Sequence, residues 1–161
     1  MKTNFQIRNV LLMLGVLSML VVSVVSAEGE TTNEPEASLY DRLGGVYSIA
    51  TVVDELIERL DVNDILNANP MIDKARTTVP KAGIKFRLTA MVCQAAGGPE
   101  IYNGRSMKDS HDHLNISNAE WDEMVRVFGQ LLNDFKVPEK EQKELFALIS
   151  PTKTDIVKAT E

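Results

Sequence analysis

From Ser38 onward the apolar residues recur at the spacing of amphipathic helices, and glycine or proline divides one helical stretch from the next. SLYDRLGG predicts a short helix stopped at Gly44-Gly45, because glycine takes up left-handed backbone angles readily. In the next stretch Ile49, Val52, Val53, Leu56, Ile57 and Leu60 fall on one face, and Asp54, Glu55, Glu58 and Arg59 on the other. Residues 61–81 hold Pro70 and Pro80, carry the weakest pattern and are expected to be a loop. A helix over about 82–96 has a stripe of Ile84, Leu88, Met91, Val92 and Ala95 and stops at Gly97-Gly98-Pro99. A short helix follows at about 106–114. The longest begins at Ser117, where Ser-Asn-Ala-Glu has the spacing of a capping box, and its expected inward face is Trp121, Met124, Phe128, Leu131 and Phe135. Pro138 opens the last, anchored by Leu145, Phe146 and Ile149. With no internal repeat and no credible strand, the pattern predicts one all-α domain over 38–161.

The residues before Ser38 follow a different rule. MKTNFQIRNV has Lys2 and Arg8 as its only charges, an apolar run extends from Val10 to Val25, and Val25 and Ala27 are the small pair that a signal peptidase reads. Residues 1–27 therefore predict a signal peptide. The alternative is an uncleaved N-terminal anchor, for which the run falls short of the ~20 residues of a comfortable span. Residues 28–37, EGETTNEPEA, predict a flexible acidic tether. The expected location is outside the cytoplasm: periplasmic, or tethered to the outer side of the inner membrane. Cleavage after Ala27 removes Lys2 and Arg8, so that the 17 basic residues become 15 against 23 acidic ones, a net charge of about −8. That balance argues against nucleic acid and against an anionic membrane surface as partners. Contact with a membrane is then expected only through the N-terminal segment, if it is retained.

Candidate chemistry is sparse. The only histidines lie in SMKDSHDHLNIS, where Met107, His111 and Leu114 share one helix face and His113 lies about 200° from His111, on the solvated side. One imidazole thus sits on an apolar surface, where it is either a packing residue or a ligand. There is no GxGxxG, P-loop or GxSxG, and no CxxCH to attach a c-type haem. Asp54, Glu55 and Glu58 read as a solvated helix face. The single Cys93 excludes an internal disulfide and a multi-cysteine metal site, and it reads as a structural thiol facing away from the stripe of its helix.

The order LYDRLGG, VVDELIERL, QAAGGP, YNGRSMKDSHDHL, a capped helix, then VP opening the last one resembles the group 1 truncated haemoglobins over about 39–157. The most specific stretch is GGPEIYNGRSMKDSHDHL, with Tyr102, Gly104, Arg105 and Met107 in matching places. The resemblance implies a truncated-globin fold, a two-on-two helical sandwich around a non-covalent haem b. It implies His111 as the iron's proximal ligand, Met107 packed under the porphyrin and Leu114 on the same face. Arg87 matches a position near a haem propionate, with Arg105 and Lys108 as weaker candidates.

This chain also departs from the family pattern. A Phe-Tyr pair common on the distal side is Leu56-Ile57 here, and the neighbouring distal places match Ile84 and Leu88. A Phe-Phe pair that wedges against the haem aligns with Asn69-Pro70; Phe86 or Ile72 is expected to refill that space. An apolar distal pocket of Ile57, Ile84 and Leu88 implies fast dioxygen release, since no donor stabilises a partly negative ligand. The implied activity is reversible binding of oxygen or another diatomic gas, including nitric oxide and carbon monoxide. Catalytic turnover of nitric oxide would need an external reductase, because no flavin or nicotinamide domain fits in the chain. The alternatives are a haem-free helical interaction protein on a globin scaffold and an envelope haem shuttle.

Overall fold

The computed structural model describes residues 36–158; the signal segment and residues 28–35 of the tether lie outside the described residues. Chain order gives α1 (Leu39–Arg42), α2 (Gly45–Asp61), α3 (Asp64–Asn67), α4 (Pro70–Thr78), α5 (Lys81–Ala95), α6 (Met107–His111), α7 (Asn118–Asp134), α8 (Glu139–Ile149) and α9 (Lys153–Ile156). Tight 3-10 turns at Asp112–Leu114 and Ser150–Thr152 extend α6 and α8. Among the described residues no strand forms; Ile116 and Val157 make one isolated parallel bridge. The architecture is the all-α two-on-two sandwich.

Burial of the amphipathic faces assembles it. Leu56 of α2 meets Val127, Phe128, Leu131 and Leu132 of α7 and Leu145 of α8 in the main core, with Leu131 wholly buried. Phe128 and Phe146 join α7 to α8 edge to face, their centroids 5.4 Å apart. The Arg42 guanidinium ties α1 to α8 through Glu141 (2.9 Å) and Glu144 (2.5 Å). Ser117 and Glu120 form the expected capping box at the start of α7.

Three expectations need correction. Residues 61–81 are not a loop but hold α3 and α4, whose starts are fixed by the side chains of Asn63 and Asn69, with Pro70 in the first turn of α4. No residue of α4 is buried, and Met71, Ile72 and Ala75 are only half-buried. On α5 the stripe is looser than expected: Ile84 is 37 % exposed and Ala95 also faces solvent. The fully buried residue is Cys93 on the opposite side, packed against Ile49 and Val53 of α2. Phe135 is exposed rather than inward, because the chain leaves α7 there through a left-handed Lys136 (φ 55°) and Val137 packs on the core instead.

Candidate functional site

The segment between α5 and α6 is braced at several points. Gly98 N–H donates to the Cys93 carbonyl (2.8 Å), closing α5. Tyr102 N–H donates to Gln94 Oε1 (2.6 Å), and its hydroxyl donates to the Arg105 carbonyl (2.7 Å). The Tyr102 ring lies over Gly104 so closely that a Cβ there would stand 2.2 Å from the hydroxyl oxygen. Ser106 then caps α6 by accepting from Asp109 N–H (3.0 Å). α6 therefore starts at a defined place.

His111 is the last residue of α6, and its Nδ1 lies 2.9 Å from the Met107 carbonyl one turn earlier. A carbonyl only accepts, so Nδ1 carries the proton and Nε2 keeps its lone pair. Among the described residues no group bonds Nε2. Burial pushes the ring's pKa below its ordinary value, against the Met107 carbonyl and with help from the charge of His113. The imidazole is thus neutral at physiological pH. Four residues before His111 and three after, Met107 and Leu114 pack against Ile116, Trp121 and Ile156, together with Ile72 and Met124. His113 is exposed, as its helix angle predicts.

The second apolar wall comes from α2 and α5. Ile57, Leu88 and Val92 pack around Ile49, Val53 and Cys93, while Leu56 is taken into the main core. Ile84 stands at the edge. Met124 of α7 borders both the core that holds Leu88 and the cluster that holds Met107 and Leu114. α5 packs along α2 and not along α6. The arrangement therefore places an apolar wall and a neutral imidazole on separate elements, with Met124 between them. Arg87 reaches from α5 to the loop before α6, its Nη1 donating to Asn103 Oδ1 at 2.8 Å. Arg105 and Lys108 are exposed.

Of the two residues expected to refill the aromatic wedge, Phe86 is 71 % exposed and lines an outer groove of about 530 Å³ with Val46, Tyr47, Ala50, Ala90 and Ile101. That groove takes the side of α5 opposite Ile84 and Leu88. Ile72 is the one that packs with Met107 and Leu114. The sequence pattern also missed Asn69, whose Nδ2 donates to the Leu114 carbonyl at 3.0 Å; Asn before Pro at a helix start was the available signal. Burial, with the Glu100 carboxylate nearby, pushes the Cys93 thiol up to about 11, so it is not a thiolate at neutral pH. No group of three or more His, Cys, Asp or Glu converges among the described residues.

A family model described as bacterial-like globin matches residues 38–158. The chain is 33 % identical over 94 residues to a group 1 truncated hemoglobin, GlbN, of Nostoc commune, covering 58 % of this chain and 75 % of that protein. To the GlbN of a Synechocystis species it is 26 % identical over 116 residues, 70 % of this chain and 89 % of the other. Its fold is similar to the 2/2 hemoglobin of a Synechococcus species (TM-score 0.66, 19 % identity) and to a truncated hemoglobin of Tetrahymena pyriformis (0.65, 18 %). Each of these two alignments covers 75 % of this chain and 98 % of the other. At such identities the two structures share the fold alone with this chain.

Proposed function

The chain belongs to the bacterial-like globin family, among the haem-binding group 1 truncated haemoglobins, and on that premise we propose that it reversibly binds a diatomic gas through a non-covalent haem b whose iron His111 would hold. Haem held by His111 would supply an iron centre able to take up such a ligand. The observation that carries this proposal is the 2.9 Å contact from His111 Nδ1 to the Met107 carbonyl. It sets the ring's tautomer and orientation and leaves Nε2 as a neutral donor of a lone pair.

The surroundings fit the group. Met107 and Leu114 give the turn of His111 an apolar setting, and Ile57 and Leu88, with Ile84 at the exposed edge, offer apolar side chains with no hydrogen-bond donor. Arg87 stands where a cation reaches from α5 toward the loop before α6, a suitable place for a propionate. Binding rather than turnover is the proposed activity, since Ile57, Ile84 and Leu88 include no acid or base. Export to the periplasm, with or without a retained N-terminal tether, is part of the same proposal and rests on the pattern of residues 1–27.

The test is the absorption spectrum of the purified protein with haemin, oxidised, reduced and under carbon monoxide. A Soret band that shifts with carbon monoxide is expected. His111→Gly should abolish tight binding, or leave a cavity that added imidazole restores. A protein that stays colourless, or a spectrum indifferent to the substitution, would refute the assignment.

A further inference from the structure

Asn69 ties the start of α4 to the turn that follows α6. Its Oδ1 accepts from Met71 N–H (2.9 Å) and Ile72 N–H (3.4 Å), which starts α4, while its Nδ2 donates to the Leu114 carbonyl (3.0 Å). Leu114 ends the tight turn that directly follows His111. On the other side of Leu114 the chain is held too: Asn115 turns it in a left-handed conformation (φ 51°), and the Ile116 carbonyl accepts from Lys158 N–H at 2.8 Å. Ile72, three residues beyond Asn69, adds an apolar contact in the cluster of Met107 and Leu114. At the start of α7, burial works to raise the Glu120 carboxyl, but the Ser117 N–H and hydroxyl and the Asn69 amide together hold it below the usual range.

One side chain therefore joins the start of α4 to the end of the His111 turn. The geometry points to Asn69 as a positioning residue for the proximal ligand: its amide fixes the backbone just after His111 and so the direction of Nε2. Because it rests on His111 being that ligand, the inference deepens the function proposed above. The chemistry needs an amide. A carboxylate at 69 would keep the cap on α4 but present an acceptor to the Leu114 carbonyl.

The experiment compares the full-chain protein with Asn69→Asp and with Asn69→Ser, which keeps an uncharged cap but lacks the amide. Two properties are read: the iron–histidine stretching frequency of the reduced haem-loaded protein, and the rate of haem loss to excess apomyoglobin. Both variants are expected to shift the frequency and to lose haem about tenfold faster, with helix content unchanged by circular dichroism. A third reading uses the haem-free protein: amide hydrogen exchange over residues 111–116 should quicken in both variants, while that of α5 stays the same. Wild-type frequency and wild-type haem loss in Asn69→Ser would overturn the inference and leave the haem assignment standing. If the parent protein takes up no haem, the haem assignment falls instead. Unchanged exchange over 111–116 would overturn the clamp in either case. An Asn69→Asp chain that fails to fold leaves the decision to Asn69→Ser.

Discussion

Gly98 sits against Tyr40 with no room for a methyl group. A Cβ there would lie 2.4 and 2.7 Å from Tyr40 Cδ2 and Cε2 and 2.8 Å from Glu100 Oε2, where ordinary contacts begin near ~3.5 Å. Unlike Gly97 (φ 88°), Gly98 does not use a left-handed backbone, so Gly98→Ala tests the contact and not the conformation. The ring cannot simply withdraw. It packs on both the main core and the Cys93 cluster, its hydroxyl donates to Glu100 Oε1 (3.1 Å), and its backbone N–H donates to the Ala96 carbonyl (2.9 Å). Overpacking of this kind costs ~1–3 kcal/mol, and losing the Tyr40–Glu100 bond adds about 1. The reduced freedom of the unfolded alanine chain offsets ~0.4–1 kcal/mol. The net loss is about 1–3 kcal/mol, which for a domain of this size lowers Tm by roughly 5–15 °C. Thermal unfolding followed by circular dichroism measures it. In Tyr40→Ala/Gly98→Ala the methyl no longer meets a ring, so the double variant should be less destabilised than the sum of the singles by about 1 kcal/mol or more. A Gly98→Ala protein melting within about 2 °C of wild type, or strict additivity in the double variant, would refute the reasoning.

Ile57→Tyr places a donor on the apolar wall and should slow dioxygen dissociation about tenfold or more in stopped-flow; an unchanged rate would mean that Ile57 does not face the gas. His111 has its folded-state pKa lowered by burial, so the unfolded chain binds the proton first as pH falls. Stability of the haem-free protein should therefore be full above the ordinary value of 6.5, decline as pH drops below it, and level off beneath the folded pKa. Urea melts should show His111→Gln flattening that step; a step of wild-type size in this variant would count against His111 as its source. Arg126, with Asn63, lowers the Glu123 carboxyl to about 2, so its contribution is present above the ordinary 4.5 and lost as pH falls toward 2. A carbon-13 titration should find that midpoint near 2 and find it raised in Arg126→Ala; a wild-type midpoint of 4 would contradict the ion pair.

The amino-acid pattern alone determined the long helices. In α2, α7 and α8 the buried residues repeat on one face, as with Ile49, Val53 and Leu56, and this repetition is what sequence displays. The capping box at Ser117 and the shared face of Met107, His111 and Leu114 were equally local. Even the bond from His111 Nδ1 to the Met107 carbonyl follows from one helical turn. By contrast α3 and α4 bury little of their own and depend on asparagine caps, so periodicity could not reveal them. Cys93 and Ile84 show the same limit from the other direction: spacing named the faces of α5, but only packing against α2 decided which side was sealed.

Tertiary structure likewise decided that Ile72 and not Phe86 joins Met107 and Leu114, and that Asn69 reaches a carbonyl 45 residues away. The physical reason is range. Backbone geometry fixes relations within a turn or two of helix, so a histidine's face and tautomer can be read along the chain. Which surfaces meet is settled by close packing among segments far apart in sequence, and the contacts of α5 with α2 and of Asn69 with Leu114 are relations of this second kind.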